Sequence, residues 1–111
     1  MKRYALALDL KDDPAVIAGY EEQHKAVWPE IQEQILSTGI LSMRLYRVSN
    51  RLFMLIEAED WFTFEAKAEA DATNETVQKW EALMSTYQQA IPGVDSDGKW
   101  VLMEEIFELR K

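Results

Sequence analysis

Tyr20, His24 and Trp28 follow one another at intervals of four residues in the segment Tyr20-Glu-Glu-Gln-His-Lys-Ala-Val-Trp28. On a helix, residues four apart share a face. An imidazole gives or takes a proton near neutral pH, and a phenol and an indole beside it supply hydrogen bonds and flat apolar surface. Proton transfer on a sugar, whose ring stacks on an aromatic face, is the chemistry such a set can carry. The same spacing equally describes a core stripe in which Tyr20 and Trp28 are buried and His24 is a boundary residue with a satisfied nitrogen. Spacing leaves both readings open. His24 is the single histidine and the chain has no cysteine. Disulfides, thiolate nucleophiles, iron-sulfur clusters and metal sites built on several imidazoles or thiolates are thereby excluded, and no other metal-ligand spacing is present. Neither a phosphate-cradling glycine loop nor a Ser-His-Asp set is legible. Glu57, Glu59, Glu104 and Glu105 fall at the ends of expected strands, where a carboxylate can act as a base. With twenty acidic residues in the chain such placements are cheap, and none is singled out.

The elements that must hold these residues are readable from pattern and punctuation. Residues 3–9 are short and apolar and read as a strand, stopped by Asp12-Asp13-Pro14. Asp13 is suited to cap a helix with Pro14 in its first position, over about residues 14–26. Pro29 interrupts that ladder, so residues 30–37 form a second short helix, ended by Gly39 in the position after the cap. Residues 40–48 alternate, with Leu41, Met43 and Leu45 on one side and Ser42, Arg44 and Tyr46 on the other. Ser49-Asn50-Arg51 makes a turn into a second strand over 52–58, and the two pair as a hairpin. Asp60 is expected to cap a helix to about residue 70. Residues 73–90 carry Val77, Trp80, Met84 and Tyr87 at helical spacing, which explains Trp80 as core without any ligand. A loop with Pro92, Gly93 and Gly98 leads to a closing strand over 100–109.

Strand, helix, strand, strand, helix, strand is the order of a ferredoxin-like βαββαβ domain of the α+β class, an antiparallel sheet with helices on one face. The chain holds no further helices for the other face. Two copies packed sheet against sheet as a homodimer, with a barrel-like interior and a cavity in each subunit, answer that need.

The composition agrees with one domain. In 111 residues two cores would each be too small to fold unaided, and 48% apolar residues suffice for one. Twelve basic against twenty acidic residues leave a net charge of -8, which repels nucleic acid and anionic membranes alike. No apolar run approaches the roughly 20 residues that span a bilayer, and Asp9 cuts short the only apolar stretch near the start. The cytoplasm is the expected compartment.

The run Tyr20-Glu-Glu-Gln-His24-Lys-Ala-Val-Trp28-Pro29-Glu30-Ile31 resembles the helix signature of the L-rhamnose mutarotase family. The resemblance extends through Leu45-Tyr46 to Glu59, Val77-Gln78-Lys79-Trp80 with Met84, and Glu105-Ile106-Phe107-Glu108-Leu109. It implies a cofactor-free dimeric α/β barrel that interconverts the α and β anomers of a 6-deoxy sugar. It implies His24 as the proton donor, and Tyr20 and Trp80 as residues that contact the sugar. Two positions depart from the pattern: Glu81 stands where a second tryptophan follows the first, and Met43 where a strand tyrosine contacts rhamnose. Mutarotases of this resemblance are also associated with L-fucose breakdown, which makes L-fucose the sister substrate of L-rhamnose. Two other readings keep the fold: a non-catalytic sugar-binding or assembly module, and a small cofactor-free monooxygenase.

Overall fold

Strand β1 (Lys2–Leu10) gives way at Asp12-Asp13-Pro14 to helix α1 (Pro14–His24) in the computed structural model, which describes all 111 residues. The Asp13 carboxylate accepts from the Ala15 N–H at 2.8 Å and Pro14 occupies the first turn, where its missing N–H costs nothing. Helix α2 (Pro29–Ser37) opens on Pro29 and stops before Gly39, which takes φ +101°. Only glycine is at ease there, and the Trp61 ring lies 2.8 Å from where a Cβ would stand. Strands β2 (Ile40–Val48) and β3 (Arg51–Ala58) pair as the expected antiparallel hairpin. Helices α3 (Phe64–Ala72) and α4 (Glu75–Ser85) follow. Two short strands, β4 (Gln88–Gln89) and β5 (Val101–Leu102), finish the ordered elements.

The sheet runs β2-β3-β1-β4, with β5 also on β1, and every pairing is antiparallel. This is the ferredoxin-like arrangement, with each helical stage divided in two. Leu6, Leu8 and Leu10 of β1 and Leu52, Ile56 and Ala58 of β3 turn one face of the sheet into the core. Leu10 and Leu52 meet Tyr20, Ile31, Val77, Trp80 and Met84 from the helices; Leu6, Ile56 and Ala58 meet Ile40 and Phe62. Each fully buried leucine contributes about 1.5 to 3 kcal/mol over an exposed one.

Four details differ from the sequence reading. Thr63 rather than Asp60 caps α3, its hydroxyl accepting from the Ala66 N–H at 3.1 Å; the Asp60 carboxylate instead accepts from the Met1 ammonium at 2.5 Å. Helix α4 ends at Ser85, because Gln88 and Gln89 are drawn into the ladder of β1 at Leu10 and Asp9. A bulge between Ile40 and Ser42 leaves Leu41 half exposed and puts Ile40 in the core in its stead, while Met43, Leu45 and Arg47 keep to the helix side of the sheet. The closing strand is only two residues long. After the Met103 N–H reaches the Ala5 carbonyl at 2.7 Å the chain leaves the sheet, and Ile106, Phe107 and Leu109 stand 92%, 76% and 83% exposed. The segment is rich in apolar residues, but a single copy offers no surface for their side chains.

Candidate active site

His24 is the last residue of α1, and its Nδ1 lies 2.9 Å from the carbonyl oxygen of Tyr20 one turn back. A carbonyl only accepts, so Nδ1 carries the hydrogen and Nε2 is left free for other partners. Aromatic rings hold the imidazole from two sides. Tyr20 lies beneath it with centroids 4.4 Å apart at 37°, and Trp80 meets it edge to face at 5.7 Å and 69°. Trp28 in turn stands edge to face with Trp80 at 5.1 Å. Such contacts fix a ring's orientation as well as burying area. Tyr20 is buried, at 4% exposure. That burial pushes its hydroxyl up to about 12, against a smaller opposing pull from the Gln88 side chain. The phenol therefore stays neutral and acts through hydrogen bonds, not proton transfer.

A cavity of about 460 Å³ opens between α1 and strand β2, within the range of small-molecule sites. Helix α1 contributes Tyr20, Glu21, His24 and Lys25 to it, and the strands contribute Leu45, Tyr46, Arg47 and Leu52. The helical spacing explains one wall: positions 20, 21, 24 and 25 are one turn of the same face. The alternation of β2 explains the other, since Leu45 and Arg47 pair with Met54 and Leu52 on the helix side of the sheet. Arg47 crosses the cavity rim to an ion pair with the Glu21 carboxylate through its Nε, and its Nη1 donates to the Ser49 carbonyl at 2.7 Å. Lys25 turns to Glu22, their charged atoms 2.9 Å apart, and that contact holds its ammonium above the usual lysine range. The lining thus joins two leucines to an imidazole, two phenols, a carboxylate, an ammonium and a guanidinium. Such a mixture can hold a small polyhydroxylated ring and move protons on it.

The structure brings Tyr20 and His24 together on the cavity wall, whereas Trp80 lies behind the imidazole and does not line the cavity. Met43 packs against the cluster of Ile56 and Phe62, and Glu81 is exposed on α4 with Gln78 donating to it at 3.4 Å. None of Glu57, Glu59, Glu104 and Glu105 reaches the cavity. The acid that does is Glu21. Its place next to Tyr20 and three residues before His24 was a legible signal, obscured by the run Glu21-Glu22, but its partner Arg47 could only be found through the fold.

The sequence profile described as L-rhamnose mutarotase matches residues 3–109, nearly the whole chain. The chain belongs to the L-rhamnose mutarotase family. Among the curated relatives of this family, an L-fucose mutarotase of Xanthomonas campestris is 40% identical over 98% of this chain and 89% of its own length. An L-rhamnose mutarotase of Bacteroides thetaiotaomicron is 29% identical over 98% of this chain and 99% of its own. Among solved structures, an L-rhamnose mutarotase of Formosa agariphila superposes with a TM-score of 0.71 at 24% identity, covering 99% of this chain and 100% of that one. That likeness carries the shared mutarotase-family fold. The family agrees with the resemblance read from residues 20–31.

Proposed function

We propose that this member of the family is an aldose mutarotase that interconverts the α and β anomers of a free 6-deoxy-L-hexose, L-fucose ahead of L-rhamnose. The observation that carries the reading is an imidazole with one nitrogen tied to a carbonyl and the other free, on the wall of a cavity large enough for a monosaccharide. Opening a pyranose requires a proton delivered to the ring oxygen and another removed from the anomeric hydroxyl. Rotation about C1–C2 and reclosure on the opposite face complete the inversion. His24 delivers the ring-oxygen proton from Nε2 as the imidazolium, Tyr20 orients the sugar as a neutral donor, and Trp80 holds the imidazole in place. Acid-base assistance of this kind is worth about 10² to 10⁴-fold, roughly 3 to 5 kcal/mol off the barrier. Leu45 and Leu52 supply the apolar wall that suits the C6 methyl group, and the 40% identity to an L-fucose mutarotase supports L-fucose as first choice.

The same proposal makes the enzyme a homodimer in the cytoplasm. The sheet face away from the helices carries Ala5, Ala7, Tyr46, Val48, Phe53 and Leu55 among polar neighbours, and the apolar tail beyond Met103 is without a surface of its own. A second copy packed on that face supplies cover for both. No helix is long and apolar enough to cross a membrane. With no cysteine, the fold needs no disulfide in a reducing compartment.

Exchange NMR of the anomeric protons, with L-fucose and L-rhamnose at equilibrium, tests the reading. Protein-dependent line broadening and exchange cross-peaks are the expected result. Sugar binding with unaltered exchange would make the cavity a binding module instead, and oxygen uptake with an aromatic substrate would favour a monooxygenase.

A further inference from the structure

We infer that Glu21 is the proton acceptor for the anomeric hydroxyl and that Arg47 is its positioning residue, an assignment that rests on the mutarotase reading. Three observations support it together. Glu21 and His24 are three residues apart on one helix, which sets their Cβ atoms about 5 to 6 Å apart, and both line the same cavity. Ring oxygen and anomeric oxygen are bonded to the same carbon, so the two groups that serve them must converge from neighbouring positions. The second observation is the division of labour within the carboxylate. Oε1 accepts from Arg47, while Oε2 has no hydrogen-bond partner in the protein. The third is the anchoring of Arg47 itself, whose Nη1 is held by the Ser49 carbonyl at 2.7 Å. With its other contact on the Ser49 carbonyl, the guanidinium draws the partly exposed carboxylate toward the cavity rim, which matters because proton transfer demands hydrogen-bond reach.

In the ring-opening step the O1–H proton passes to Oε2 of Glu21 as the C1–O1 bond becomes a carbonyl. The C1–O5 bond breaks, and O5 takes the proton from Nε2 of the His24 imidazolium. The open-chain aldehyde then stands beside a neutral Glu21 and a neutral His24. After rotation about C1–C2, O5 attacks the other face of the carbonyl and returns its proton to His24, while O1 takes its proton back from Glu21. Both groups end as they began, so no further reactant is consumed.

The test is anomer exchange of L-fucose, with L-rhamnose in parallel, by wild type, Glu21→Gln, Arg47→Met and the double variant, resolved into kcat and KM. Glu21→Gln is expected to lower kcat about 100-fold or more with KM within about threefold. Arg47→Met is expected to lower kcat about tenfold, and the double variant to be no worse than Glu21→Gln, because the guanidinium acts only through the carboxylate. Glu21 lies on the exposed side of α1, and unchanged circular dichroism shows that its variant folds. A Glu21→Gln enzyme that keeps more than about half of kcat, or loses only KM, overturns the assignment and leaves the mutarotase reading standing. Losses from the two single variants that multiply in the double overturn the role of Arg47. A wild type that exchanges neither sugar overturns the mutarotase reading and this assignment with it.

Discussion

Raising the pH beyond about 10 is expected to cost this protein stability through Tyr20, and Tyr20→Phe is expected to abolish that loss. The phenol ordinarily titrates at 10.0 and is pushed to about 12 in the folded chain, chiefly by burial. Because the folded value is the higher one, the contribution is whole below pH 10. It is lost as the unfolded chain sheds a proton that the folded chain retains, until the folded phenol itself ionises near pH 12. Two pH units at 1.36 kcal/mol each give a total of about 3 kcal/mol, about half of it gone at roughly pH 11. At 4% exposure the ring is little screened by solvent, so the figure needs no large discount. The assay is urea unfolding of wild type and Tyr20→Phe at about pH 8 and about pH 11. The difference between the two proteins is the quantity to follow, since the other three tyrosines and the lysines titrate alike in both and cancel. The stability of wild type relative to the variant should fall by about 1.4 kcal/mol between the two conditions. A difference that does not move, or a spectrophotometric titration in which all four phenols ionise near pH 10, refutes the reasoning.

Three further outcomes are expected. His24→Asn should lower sugar exchange by about 10² to 10⁴-fold while leaving circular dichroism and oligomeric state as in the wild type, and retention of most activity would remove His24 from its role. Deleting residues 104–111 should shift sedimentation from dimer toward monomer, and an unchanged dimer would mean that the tail is not part of the interface. L-galactose, which is L-fucose with a hydroxyl on C6, should be exchanged with kcat/KM reduced by no more than about 100-fold, since an apolar wall such as Leu45 and Leu52 rejects an added hydroxyl only weakly. Exclusion by four orders of magnitude would point to a polar group reading C6.

What the sequence determined by itself is local in origin. Asp13-Pro14 starts α1, Pro29 divides the helical unit and Gly39 ends it, each through backbone chemistry within a few residues. The interval of four between Tyr20 and His24 sets both on one helix face whatever else the chain does. The order of strands and helices, and with it the antiparallel ferredoxin-like sheet, follows from those local signals. Tertiary structure decided what depends on residues far apart. Residues 86–90 read as helix and yet Gln88 and Gln89 pair with Leu10 and Asp9, a competition that no local window contains. The one-residue bulge at Ile40/Ser42 exchanges Leu41 for Ile40 in the core, and the packing of α1 over the hairpin brings Glu21 to Arg47, 26 positions away in the chain. Trp80 stands at the imidazole as the helical stripe and the family signature both permitted, and only the packing of α4 set it behind the ring instead of on the cavity wall. The residues able to handle protons were visible one by one, but the cavity they share exists only where a helix and an edge strand are held apart by the layers beneath them.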